Sequence, residues 1–273
     1  MSRDRILREQ PAEGVLRLVL NRPDKRNAID NALRGELLEA LQEADGDDSI
    51  RVTILCGAGS CFSSGYDLKS DLNANSPYFS PAVGQPWARQ VSQGWLSLWD
   101  LAKPVIAQVH GYAMAGGLEL VGACDLVYAA EDARFSHPVT RFAGLPDFPW
   151  FAAKLETRHA MELHLTGREF VGEEAVRVGI VNQLFAADQL ENGVLEIAQR
   201  MATSTTAVLA VQKRYVYTAL EARGGRALVR TGNDLAAGPH MQALTNANPE
   251  SILARVKGER RSGGESGRGE GDA

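Results

Sequence analysis

Two turns built from small residues could hold and stabilise a developing negative charge, and one of them is followed by an acid. The first is Gly57-Ala58-Gly59-Ser60-Cys61-Phe62-Ser63-Ser64-Gly65-Tyr66-Asp67-Leu68. Small residues let the backbone turn sharply and present its N–H groups, which can bind a phosphate or an oxyanion. The second lies in Lys103-Pro104-Val105-Ile106-Ala107-Gln108-Val109-His110-Gly111-Tyr112-Ala113-Met114-Ala115-Gly116-Gly117-Leu118-Glu119. It reads as a buried strand ending at His110-Gly111, a small-residue turn, and a helix starting near Gly116. Glu119 then falls in the first helical turn, at the positive helix end and beside N–H groups with no intrahelical partner. Oxyanion donors with a neighbouring carboxylate are the parts needed to polarise a carbonyl and move a proton next to it. Each turn taken alone would also serve as an ordinary strand-to-helix connection, with Glu119 merely stabilising the helix start.

Several other chemistries find no support. Neither turn matches G-x-G-x-x-G, since Gly57-x-Gly59 is followed by Phe62, and there is no GK[ST] of a P-loop. The three cysteines, Cys56, Cys61 and Cys124, have neither disulfide-framework nor metal-site spacing. They read as buried, reduced thiols of a cytoplasmic protein. A net charge of −5 gives no basic face for nucleic acid. The charged N-terminus lacks the apolar stretch of a signal peptide, and no apolar run is long enough for a membrane span.

The elements that must position these turns follow from periodicity. Residues 15–20, 51–56, 105–109 and 126–130 read as strands, with helical patterns between them. Asp30 offers an N-cap to a helix carrying Leu33, Leu37, Leu38, Leu41 and Ala44, which Gly46-Asp47-Asp48 ends. This alternation predicts parallel βαβ units with buried strands, an α/β fold. Residues 70–88 read as a long substrate-side loop. From residue 188 the pattern is mostly helical, over 188–202 and 205–222, and residues 258–273 lack any apolar anchor and read as a disordered tail. The 273 residues, 44% hydrophobic, suit one large domain with a helical appendage.

The two turns together resemble the crotonase (enoyl-CoA hydratase/isomerase) superfamily. Phe62-Ser63-Ser64-Gly65-Tyr66-Asp67-Leu68 is similar to its F-(S/A)-(A/S)-G-x-D-L hallmark. Lys103 through Glu119, followed by Cys124-Asp125, is similar to its KP-(V/I)-IA…GG-x-E-L…CD hallmark. Asn21-Arg22-Pro23 with Asn27-Ala28, Leu165-Thr166-Gly167, Glu173-Glu174-Ala175 and Gly179-Ile180-Val181 extend the match over roughly residues 13–200. The resemblance implies a ClpP/crotonase-like spiral of ββα units over residues 1–195, and a helical region over 196–257 that builds a homotrimer or dimer of trimers. It implies an acyl-CoA thioester as substrate, with no metal or redox cofactor and coenzyme A arriving as part of that substrate. Tyr66 and Gly116 match the two oxyanion-hole amides, and Glu119 matches one catalytic glutamate of the hydratases. Lys25, Ala28, Ser64, Gly65, Asp67, Leu68, Gly117 and Val139 match positions around the acyl-CoA.

The second hydratase glutamate, in a motif like F-G-x-P-E, is missing: Phe135-Ser136-His137-Pro138-Val139 places a valine there. Valine transfers no proton, which weakens both the hydratase and the simple isomerase assignments. Asp147, in Gly144-Leu145-Pro146-Asp147-Phe148, falls where some relatives resemble one another in carrying an aspartate, and it is the candidate second acid. It would equally serve as a helix N-cap. His110 reads as structural, while His137 neighbours the lost glutamate. Lys213 and Arg214 are candidates for the CoA phosphates or else solvated surface charges. Other family reactions (hydrolysis, C–C cleavage, decarboxylation) and a non-catalytic CoA-binding role stay open.

Overall fold

The computed structural model describes residues 4–67, 86–138, 146–232 and 234–235, with the side chains of 86–90 left out. Residues 68–85, 139–145 and 236–273 lie outside the described residues. They include Leu68, Val139, most of the proposed loop and the proposed tail.

A six-stranded sheet forms the framework, in the order β1 (Ile6–Ala12), β2 (Gly14–Leu20), β3 (Ile50–Gly57), β4 (Val105–Val109), β6 (Leu126–Ala130), β9 (Gln183–Phe185). From β2 to β9 all pairs are parallel; β2, β3, β4 and β6 are the buried, near-continuously apolar runs read from the sequence, whereas β9 was not foreseen. All five residues of β4 are buried. The antiparallel edge strand β1, missed in the sequence, carries mostly exposed residues and turns into β2 at Gly14, whose φ of 75° suits glycine. A second sheet of three short strands, β5 (Tyr112–Met114), β7 (Arg134–Ser136) and β8 (Phe170–Val171), was equally unforeseen.

Helices α1 (Asn31–Gly46) and α7 (Leu190–Ala202) pack on the large sheet. The Asp30 side chain accepts from the Leu33 amide at 2.8 Å, the expected N-cap. Helix α2 (Pro86–Ser97) begins inside the stretch read as loop. Helix α3 (Gly116–Ala123) starts at the expected residue and is wholly buried. The short helices α4 (Phe151–Lys154), α5 (Thr157–Thr166) and α6 (Glu173–Arg177) lead to β9. The last helix, α8 (Thr206–Ala222), is capped by Thr205. No described helix is long and apolar enough to cross a membrane. The three cysteines are buried, and burial pushes the thiols of Cys56 and Cys124 up to about 12, which makes them poor nucleophiles at neutral pH.

Candidate active site

The two small-residue turns meet at the C-terminal ends of β3 and β4. Phe62 donates its amide to His110, Ser63 to Tyr112, and Met114 returns a bond to Ser63, so the turns run side by side. Close approach is what requires the glycines. A Cβ on Gly65 would lie 2.8 Å from the Met114 carbonyl oxygen and 3.2 Å from the Gly116 nitrogen. One on Gly117 would lie 2.7 Å from the Ser63 oxygen.

Asn27 pins the first turn from below. It is fully buried at a φ of 52°, a conformation asparagine tolerates better than most residues. Its Nδ2 donates to Ala58 and Cys61 carbonyls at 2.8 and 2.9 Å, and its Oδ1 accepts from the Arg22 amide at 3.0 Å. Arg22 pairs with Asp67 at 2.9 Å and with Asp30 at 3.2 Å, tying the turn to the start of α1.

A parallel bridge then orients Tyr66. Ile29 donates to the Gly65 carbonyl at 2.8 Å and the Asp67 amide to Ile29 at 2.9 Å. In that pairing the Tyr66 amide faces away from Ile29. Gly116 opens α3 with no side chain capping that end. Ala115 before it sits at φ 47°, ψ −119°, a conformation that costs a non-glycine residue on the order of 1–3 kcal/mol. Its amide donates to Ser136 and its carbonyl accepts from Glu119, each bond helping to hold it there.

Glu119 is 1% exposed and satisfied by three donors. Its Oε2 accepts from the Tyr66 hydroxyl at 2.5 Å. Its Oε1 accepts from His137 Nε2 and from the Asp147 amide, both at 3.0 Å. Trp95 on α2 donates its indole N–H to the Tyr66 oxygen at 2.9 Å. Burial, then the charges of Glu119 and Asp147, push the Tyr66 hydroxyl well above its ordinary value, so it stays protonated. The Tyr66 ring lies flat against α3, where a Cβ on Gly116 would come within 2.6 Å of it.

The predicted residues therefore fall into distinct sets. Gly65, Tyr66, Gly116, Gly117, Glu119 and Asp147 come together. Asp147 is buried, 5% exposed. Ser64 and Ala28 adjoin through the main chain, Ser64 donating to Arg26 at 2.9 Å and Ala28 to Lys25 at 3.1 Å. Lys25 is exposed. Leu68 and Val139 lie outside the described residues. Lys213 is no surface cation: it is 8% exposed and pairs with Asp125 at 2.8 Å. His110 bonds the Gly59 carbonyl at 2.9 Å, a structural contact as expected. Sequence reasoning missed the Tyr66 side chain, Trp95 and the contact of His137 with Glu119. A bulky polar ring amid small residues was the one signal that pointed to the first, and nothing local pointed to Trp95.

The family model for enoyl-CoA hydratase/isomerase matches residues 10–237. The chain belongs to the enoyl-CoA hydratase/isomerase family, the crotonases. Among its relatives is a carnitinyl-CoA dehydratase of Proteus mirabilis, 34% identical over 224 residues, 80% of this chain and 83% of that one. Among solved crotonases, a probable enoyl-CoA hydratase from Mycobacterium smegmatis aligns with a TM-score of 0.80 at 33% identity, over 88% of this chain and 96% of that one. An enoyl-CoA hydratase/isomerase from Xanthobacter autotrophicus aligns with a TM-score of 0.80 at 28% identity, over 93% and 97%. The crotonase fold read from the two hallmarks is thus the fold of this chain, which is an enzyme of that family.

Proposed function

We propose that this crotonase polarises the thioester carbonyl of an acyl-CoA between the Tyr66 and Gly116 amides and moves a proton with Glu119, adding water to a 2-enoyl thioester or eliminating it. The observation that carries this reading is the single cluster formed by the two turns and the buried Glu119 carboxylate. Proton removal beside a thioester, or water addition across its double bond, places negative charge on the carbonyl oxygen. A pair of fixed N–H donors stabilises that charge without reorganising, and each is worth about 100- to 1000-fold in rate. A carboxylate beside the reacting carbons moves the proton.

Asp147 supplies a main-chain donor to Glu119 and the second buried carboxyl group of the site, the candidate partner acid. Lys25, Ala28, Ser64, Gly65, Asp67 and Gly117 are proposed to surround the CoA portion and the thioester, with CoA entering as part of the substrate. The dehydratase name of the Proteus relative supports water chemistry. A relative of known structure named as an enoyl-CoA isomerase, 31% identical, favours double-bond migration as the second reading. Assembly into a trimer or dimer of trimers belongs to the same proposal, supported by the exposed Val208, Val211, Tyr215 and Val216 on α8.

The test is loss of the conjugated enoyl absorbance with crotonyl-CoA, extended by mass analysis to a panel of acyl-CoA thioesters. Turnover is expected for at least one of them, and Glu119→Gln should lower it by about 100-fold or more. Turnover that survives this substitution removes Glu119 from the mechanism.

A further inference from the structure

One of the three donors to Glu119 belongs to a hydrogen-bond chain whose direction is fixed. An indole N–H only donates. The 2.9 Å bond from Trp95 therefore makes the Tyr66 oxygen an acceptor, and the single Tyr66 proton points to Glu119 Oε2 at 2.5 Å. On the other oxygen, Oε1, His137 Nε2 and the Asp147 amide donate at 3.0 Å each. A carboxylate offers about four acceptor positions. Among the described residues, the position left for a substrate proton is thus on Oε2, next to the Tyr66 hydroxyl. The phenol ring rests on Gly116 and its hydroxyl reaches Glu119. Position 139, where hydratases keep their second acid, is a valine.

We propose that Tyr66 is a catalytic proton relay, its hydroxyl protonating the departing substrate oxygen while Glu119 refills it. This rests on the function proposed above. In the elimination direction, Glu119 Oε2 takes the Cα proton and the C–H electron pair forms the enolate. As the Cβ–O bond breaks, its electron pair leaves with the hydroxyl group. The Tyr66 O–H passes its proton to that oxygen, and the Glu119 carboxylic acid passes its own to the Tyr66 oxygen. The products are the enoyl thioester and water, with both side chains back in their starting states. Hydration runs the same steps in reverse. The two transfers are concerted, because burial and the neighbouring carboxylates disfavour a free tyrosinate.

The test uses the full chain and whichever 2-enoyl-CoA of the panel turns over fastest. Tyr66→Phe keeps the ring and the main-chain amide. It should lower kcat by about 100-fold or more and leave KM within about threefold, the pattern of a lost transition-state interaction. Asp147→Asn, which removes the alternative second acid, should cost less in kcat than Tyr66→Phe. In mixtures of light and heavy water the wild-type rate should follow a bowed curve, as two protons in flight require, and the Tyr66→Phe rate a straight line. Tyr66→Phe within about threefold of wild type, while Glu119→Gln is inactive, overturns the relay and leaves the proposed function standing. A larger loss from Asp147→Asn than from Tyr66→Phe assigns the second acid to Asp147 and overturns it too. No turnover of any thioester by the wild type overturns both readings. Should Tyr66→Phe fail to fold, the wild-type curve decides, since a straight line there excludes a two-proton step.

Discussion

Burial, with repulsion from His137 added, depresses His164 from 6.5 to about 4. Its ring lies 5.1 Å from Phe151 and 6.5 Å from His137, behind the side chain that holds Glu119. The folded protein keeps His164 neutral down to about pH 4, whereas the unfolded chain protonates it near 6.5. Between these values the unfolded state binds the extra proton, so His164 makes stability fall as pH drops from about 6.5 to about 4 and has no effect above that window. Melting temperatures measured across the range should show this slope in the wild type and a flatter one in His164→Gln. A wild-type slope equal to that of the variant would mean that the ring is solvated. Of the residues around the site, Glu119, Tyr66 and Gly116 were legible because their motif spacing is local. His137 was seen in the sequence but not its partner, because β7 and α3 are joined only in the fold.

Helix α3 carries Glu119 and has to pack without room for side chains on one face. A Cβ on Gly122 would come within 2.0 Å of the Trp150 indole, whose N–H donates to the Leu118 carbonyl at 3.2 Å. At the other end of the same contact Lys154 donates to the Gly122 carbonyl at 2.8 Å, a cation at the negative helix terminus. Gly122→Ala should therefore displace Trp150 and cost about 1–3 kcal/mol, seen as a lower urea midpoint at unchanged slope. The start of α3 was readable from its turn of small residues. Its tight packing was not, because Trp150 approaches from 28 residues further along the chain.

At the scale of the molecule, α8 is anchored to the core by polar groups. Lys213 donates to the Leu98 carbonyl and Asp125 at 2.8 Å, and Tyr217 bonds the other Asp125 oxygen at 2.9 Å. Asp125 in turn accepts from the Val105 amide at 2.7 Å, at the start of the strand that leads into the second turn. Lys213→Ala leaves a largely buried carboxylate without its cation. It should cost about 3–5 kcal/mol and make α8 the first segment cut in limited proteolysis, with the loss read from the denaturation midpoint. An unchanged midpoint would mean that water replaces the ammonium group.

Periodicity and local spacing carried the parallel strand–helix order, the cap at Asp30, the two turns and the acid in the first turn of α3, since each depends on neighbours a few residues away. The short strands β1, β5, β7, β8 and β9 escaped because two to seven residues with mixed polarity hold little pattern of their own, and their pairing partners supply the missing stability. Tertiary structure alone decided that Tyr66 turns its ring onto Gly116 and its hydroxyl to Glu119, that Trp95 fixes the direction of that bond, and that Lys213 points inward. Each is a contact between segments distant in sequence, formed when burial forces polar groups to find partners.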